Sequence, residues 1–131
     1  QNGAVKFYSN TFDEGLAEWY CCFLGINGTF LAENPETCKK VVRAFRKAAQ
    51  YLEEHPEEAA QMAIDKGYIA GTPELNAKLI SDYRWITGDK ELAYNSILEI
   101  WNQIDRAGAL EKGKDKKALA DSMFVWLGGT E

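Results

Sequence analysis

All three prolines of this chain follow a polar residue and precede a glutamate: Asn34-Pro35-Glu36, His55-Pro56-Glu57 and Thr72-Pro73-Glu74. This recurrence constrains the fold more than any other feature. Proline suits the first helical position, where its missing N–H is not needed, and an acid suits the positive first turn. Asn and Thr are good N-caps, and the residue before a proline is pushed out of helical geometry, which ends any preceding helix. Three helix starts are therefore written into the sequence.

The apolar pattern agrees. After Pro35, residues Cys38, Val41, Val42, Phe45, Ala48, Ala49 and Leu52 recur in steps of three and four. Lys39, Lys40, Arg43, Arg46, Lys47 and Gln50 face the other way, so a long amphipathic helix lies on something flat. Phe45 stands near the centre of its stripe, where Phe→Ala is expected to cost roughly 3–5 kcal/mol if the stripe is core. The helix from Pro56 offers Ala59, Ala60, Ala63 and Ile64, and Lys66-Gly67 closes it with glycine at the left-handed position. The helix from Pro73 buries Leu75, Leu79 and Ile80. Asp89 caps a fourth, with Tyr94, Ile97, Leu98, Trp101 and Ile104 as its stripe and Ala107-Gly108 as its end. A last short helix covers roughly 115–127, with Leu119, Met123, Phe124 and Leu127. No internal repeat of fixed period is present; the segments after ENPE and EHPE do not match.

The first thirty residues differ. Residues 5–8 (VKFY) form a short β-prone run, and residues 19–26 (WYCCFLGI) a nearly continuous apolar one, closed by Asn27-Gly28. Such a run fits a strand buried on both faces, and its aromatic residues favour strand over buried helix. Two strands alone make a marginal sheet. The expected order is one or two strands followed by four or five helices, an α/β chain that is mostly α by content and lacks part of its sheet.

At 131 residues the chain has the length of one domain. Fifteen basic against twenty acidic residues give a net charge of -5, which disfavours a nucleic-acid surface, since phosphate contacts need clustered Lys and Arg. The one basic cluster, residues 112–117 (KGKDKK), reads as a solvated loop. No run approaches the roughly 18 apolar residues of a membrane span, and no signal peptide is visible at the start, QNGAVKFYSN. That start with Gln is expected of a chain processed from, excised from, or recorded without part of something longer.

Chemistry is sparse. Cys21 and Cys22 are adjacent, Cys38 is distant and His55 is the single histidine. A structural zinc site needs four ligands in spaced pairs, and strand neighbours point to opposite faces, so no metal site is expected and Cys21 and Cys22 are not expected to bond to each other. The cysteines read as small buried residues; pairing of Cys38 with one of the others is the alternative. His55 reads as a helix cap and not as the partner of a thiol nucleophile. The Glu57-Glu58 pair is accounted for by the helix dipole, and Gly25 and Gly28 make only a lone G-x-x-G. No enzyme of familiar type and no cofactor is expected. Binding remains. Glu18, Trp19 and Tyr20 stand where a loop enters the apolar run, a place where α/β proteins hold ligands, and the aromatic pair either walls a small-molecule pocket or covers the end of the core.

The phrases Phe30-Leu31-Ala32-Glu33-Asn34-Pro35-Glu36 and His55-Pro56-Glu57-Glu58-Ala59-Ala60, in this order after the WYCCFLGING stretch, resemble the C-terminal part of substrate-binding proteins of ABC importers of the nitrate/sulfonate/taurine class. Residues 83–89 and the turn Ala107-Gly108-Ala109-Leu110 are similar to that family's last helices, and the likeness runs over about residues 16–127. It implies a type II periplasmic-binding-protein fold with two lobes closing on a small anionic or organic solute, and a membrane permease as partner. On that scheme the chain is a single partial domain, 1–131. Residues 1–15 are the end of the second lobe and the crossover, and 16–131 are the returning strand and C-terminal helices of the first. Glu18, Trp19 and Tyr20 become substrate-binding, and the location periplasmic or extracellular at the membrane. Most of the cleft would lie outside the chain, so ligands should bind it weakly and an exposed strand edge should drive self-association. A free-standing helical protein-interaction module is the alternative function, and a thiol enzyme the third.

Overall fold

The computed structural model of the chain describes residues 3, 5, 7–9, 11–85 and 88–128. Its described residues form two compact units, one of residues 26–85, the other of residues 3, 5, 7–9, 11–25 and 88–128.

The first of these units carries four helices, α1 (Gly28–Glu33), α2 (Pro35–Glu54), α3 (Pro56–Asp65) and α4 (Pro73–Asp82). Each proline opens a helix at its first turn, where the three triplets place it. The capping groups differ from expectation at two of the three. Thr72 caps α4, its Oγ1 accepting from Leu75 N–H at 3.3 Å. Asn34 makes no side-chain cap to α2; instead its amide and its own N–H both donate to Phe30 O and finish α1. His55 likewise makes no side-chain cap. Its N–H donates to Tyr51 O at 2.8 Å and its ring lies 4.7 Å from that of Tyr51. Both residues sit between abutting helices: their N–H groups serve the helix that ends there, and their carbonyls accept from Cys38 and Ala59 N–H of the helix that begins. Gly67 has φ +69, with Gly67 N–H donating to Ile64 O and Tyr68 N–H to Ala63 O, the pair of bonds that a left-handed glycine closes at a helix end.

Packing in this unit runs through small residues. Ala59 and Ala60 on α3, Ala77 on α4 and Cys38 on α2 are buried, and α3 and α4 share the most extensive helix contact. Phe45 is 59% exposed, and Leu75 and Leu79 are exposed too. The expectation of Phe45 at the centre of the buried face is therefore corrected. Along α2 only Cys38 is buried, with Val42 and Ala49 half-buried and Val41 and Phe45 exposed, because the apolar stripe is wider than the contact it makes.

The other unit carries α5 (Lys90–Arg106) and α6 (Lys116–Met123). Asp89 caps α5 by accepting from Leu92 N–H at 2.9 Å, and Asp115 caps α6 by accepting from Lys117 and Ala118 N–H. Gly108, φ +70, closes α5 as Gly67 closes α3. The Tyr94 hydroxyl donates to Asp121, which also pairs with Lys117 at 2.7 Å, and the Tyr94 ring stands edge-on to Phe124 at 5.5 Å. These contacts tie α5 to α6.

No β-strand is present among the described residues, which corrects the expectation of one or two. Residues 20–27 run without regular structure, and Val5 and Phe7 are exposed; Lys6, in the same run, lies outside the described residues. A strand exists through the ladder it shares with another, and apolarity alone does not supply that partner. The self-association expected at a strand edge loses its basis with the strand. Among the described residues no helix is long and apolar enough to cross a membrane.

Candidate functional site

Ser9 and residues 11–19 reach the candidate site through a chain of turns. Asp13 N–H donates to Ser9 O at 3.1 Å, while the Asp13 carboxylate accepts from Ser9 N–H. Leu16 and Ala17 N–H both donate to Asp13 O, Gly15 takes φ +83, and Trp19 N–H donates to Leu16 O. Serine and aspartate bond local backbone groups readily, which is why this polar stretch folds on itself.

From there residues 18–20 are laid against α5 by one side chain. Tyr20 N–H donates to Ser96 Oγ at 3.0 Å, and the Ser96 hydroxyl donates to Leu92 O at 2.7 Å. Ser96 is 1% exposed and is the sole buried polar residue among those described. Ala93, three residues earlier, is buried on the same face, so the segment reaches α5 where its side chains are smallest. Sequence reading missed Ser96 because it took Tyr94, Ile97, Leu98, Trp101 and Ile104 for the buried stripe and counted serine as polar. The available signal was Ala93 and Ser96 three apart, small residues within the same helix.

Of the three sequence-derived site residues, Glu18 is exposed, Trp19 partly so at 37%, and Tyr20 half-buried. The Tyr20 hydroxyl oxygen is buried and has no hydrogen-bond partner among the described residues. The Phe23 ring lies 6.2 Å from that of Tyr20, tilted by 60°. A pair of neighbouring rings results, with the Tyr20 hydroxyl turned away from solvent.

Cys21 and Cys22 are exposed, and only Cys38 is buried, which corrects the expectation that the pair is buried in a packed strand. Without the strand's alternation the two sulfurs fall on one side, 3.4 Å apart; all three thiols are free. Partial burial of its sulfur, and then the hydrogen bond and charge of Cys22, push the Cys21 thiol above its ordinary pKa. It stays protonated at neutral pH and is a poor nucleophile there. Among the described residues no group of three or more His, Cys, Asp or Glu side chains converges to hold a metal ion.

In the α1–α4 unit, an open groove of about 440 Å³ is lined by Glu57, Glu74, Ala77, Lys78, Ser81 and Asp82. Three carboxylates against one lysine make it a poor seat for an anion.

Residues 8–59, which include the 18–23 segment, match the family described as NMT1/THI5 like. Over 96 residues the chain is 31% identical to a 4-amino-5-hydroxymethyl-2-methylpyrimidine phosphate synthase of Aspergillus parasiticus, an alignment covering 70% of this chain and 28% of that protein. The protein of the same name from Candida albicans (strain WO-1) is 44% identical over 43 residues, 30% of this chain and 13% of that one. The chain thus spans less than a third of the curated relatives it matches. No solved structure matches it. The expectation that the protein is not an enzyme is overturned by these names, since both relatives are synthases. It rested on the lack of a familiar nucleophile, metal or phosphate motif inside these residues. A chain covering under a third of such proteins does not decide that question. The resemblance to nitrate, sulfonate and taurine binding proteins holds at a coarser level, as a match to the related NMT1/THI5-like family.

Proposed function

We propose that the chain is part of a protein that forms 4-amino-5-hydroxymethyl-2-methylpyrimidine phosphate, the compound in its relatives' names, and that Glu18, Trp19 and Tyr20 supply one wall of the site for its ring. The observation that carries the reading is the Tyr20–Phe23 ring pair, with Tyr20 held on α5 by Ser96 and the partly exposed Trp19 next to it in sequence, within the segment that the family match covers. A flat heterocycle stacks on such rings, worth about 0.5–1.5 kcal/mol beyond area burial. The Glu18 carboxylate suits the amino group of the ring, to which it offers an acceptor. One wall gives weak binding, because a tight pocket encloses most of its ligand.

The test is an NMR titration of the indole N–H signals into the millimolar range. The chain has four tryptophans, and Trp19→Phe identifies the signal of interest. The pyrimidine phosphate is expected to shift the Trp19 signal. No shift overturns the reading.

A second reading keeps the chain as the solute-binding component of an ABC importer, at the membrane with its permease, with residues 1–15 ending one lobe and 16–131 completing the other. The order of the ENPE and HPEEAA phrases at the starts of α2 and α3 favours it. It calls for nitrate, taurine or an alkylsulfonate to shift the Trp19 signal where the pyrimidine phosphate does not.

A further inference from the structure

Cys21 and Cys22 are exposed, free and close together, with their sulfurs 3.4 Å apart. Cys38, by contrast, is 1% exposed on α2. In a strand two neighbouring thiols point to opposite faces. Residues 20–27 carry no regular structure, and there the two sulfurs fall on one side. The backbone between them can turn without breaking a ladder or a helical hydrogen bond. Phe23 and Leu24, which follow directly, are each 42% exposed, so solutes reach this stretch of chain.

Consecutive Cα atoms are about 3.8 Å apart across a trans peptide, closer than the roughly 4.4–6.8 Å that disulfides usually span. A disulfide between chain neighbours is therefore strained. Strained and exposed disulfides are the ones most easily reduced, so such a bond opens and closes with the thiol balance around it and is no permanent staple. Partial burial and the neighbouring Cys22 hold the Cys21 thiol above its ordinary pKa, which slows a first attack by it at neutral pH. The closing step is intramolecular, and proximity offsets a small thiolate fraction.

We infer that Cys21 and Cys22 are a reversible oxidation site, which a small organic disulfide closes to a vicinal disulfide and a small thiol reopens, while Cys38 stays reduced. In closing, one cysteine thiolate attacks a sulfur of the small disulfide, forms a mixed disulfide and releases one small thiol. The other cysteine then attacks the protein sulfur of that mixed disulfide and releases the second small thiol. The protein gives up two electrons and two protons, and the small disulfide takes up both to become two thiols. Opening runs the same steps in reverse.

The experiment incubates the reduced, unmodified chain with oxidised glutathione in the absence of air, quenches with acid, and reads intact mass, free thiols in denaturant and a peptide map. Two of the three thiols are expected to disappear. The chain should lose two hydrogens and keep no glutathione, and the change should map to the peptide that holds Cys21 and Cys22. Excess reduced glutathione should then restore all three thiols. Cys21→Ser and Cys22→Ser, each at an exposed position, remove one partner of the closing step. Each variant is expected to accumulate glutathione on its remaining cysteine of the pair. An unmodified chain that keeps glutathione on Cys21 or Cys22, or that keeps all three thiols, overturns the inference. So does a disulfide between chains, or one that includes Cys38. A vicinal bond that excess reduced glutathione leaves closed overturns its reversibility. The mass of the unmodified chain decides by itself if a serine variant does not fold.

Discussion

In the α3–α4 pair, each helix is opened by its own proline, the two helices share the unit's most extensive contact, and Ala59, Ala60 and Ala77 are buried on them. In residues 18–23, the contact that fixes Tyr20 comes from Ser96, 76 residues further along the chain. The first region is stable for reasons that neighbours in sequence supply; the second has its shape because a distant serine accepts one N–H. Local determinants thus build the α3–α4 pair, and within the other unit one long-range polar contact fixes the candidate site on α5.

The sharpest way to break this comparison is to crowd the α3–α4 contact. Ala60 is 0% exposed, and Ala60→Leu forces three further carbons into a closed space. Overpacking of this kind typically costs about 1–3 kcal/mol, and the upper end is expected here. Urea unfolding followed by circular dichroism measures it; a loss below about 0.5 kcal/mol, as at surface sites, means that the helices do not meet through Ala60.

Next in size is the serine. Ser96→Ala leaves Tyr20 N–H without its acceptor, and an unpartnered buried donor costs about 1–3 kcal/mol. Because Tyr20 is only half-buried, about 1–2 kcal/mol is expected in the same unfolding measurement. Amide hydrogen exchange sharpens the result. The Tyr20 N–H should exchange faster in the variant, while the amides of α3 and α4 keep their protection. Unchanged exchange at Tyr20 counts against the bond to Ser96.

Much of the scaffold was legible in the sequence. Pro35, Pro56 and Pro73 gave the starts of α2, α3 and α4, Asp89 and Asp115 those of α5 and α6, and Gly67 and Gly108 two of the ends. These signals act within one helical turn, so one chain suffices to read them. Residues 19–26 misled because apolarity reports what a segment buries and not which ladder it joins. Cys21 and Cys22 followed that error to the wrong exposure. Of the candidate site, Trp19 and Tyr20 were visible as an aromatic pair. Ser96 was not, because a buried serine in a helix has the same letter as an exposed one.

Phe45 separates stripe width from burial. The periodicity of α2 puts it on the apolar face, where truncation would cost several kcal/mol, yet its side chain is 59% exposed. Phe45→Ala is therefore expected to cost less than about 1 kcal/mol, well under Ala60→Leu, although it removes far more apolar volume. A loss of 3 kcal/mol or more would restore Phe45 to the core.

The smallest effect belongs to the α5–α6 contact, where Asp121 meets Lys117 and Tyr94 at the surface. The hydrogen bond and charge of Lys117, with the Tyr94 hydroxyl, hold the Asp121 carboxyl below its ordinary pKa. A group whose folded pKa is depressed adds stability at pH above its unfolded value, and that contribution is lost as pH falls through the folded one. Asp121→Asn should therefore lower the melting temperature slightly at pH 7 and make no difference once the pH is below the carboxylate range. The Tyr94 hydroxyl is pushed up by the same carboxylate, so its share of the bond is kept at neutral pH and lost as pH rises through its raised value. All three side chains are solvent-facing, and exposed pairs are weakened by salt. Melting curves at several pH values, in low and in high salt, provide the check. A difference that persists in acid, or that salt leaves untouched, would mean that Asp121 acts through packing and not through charge.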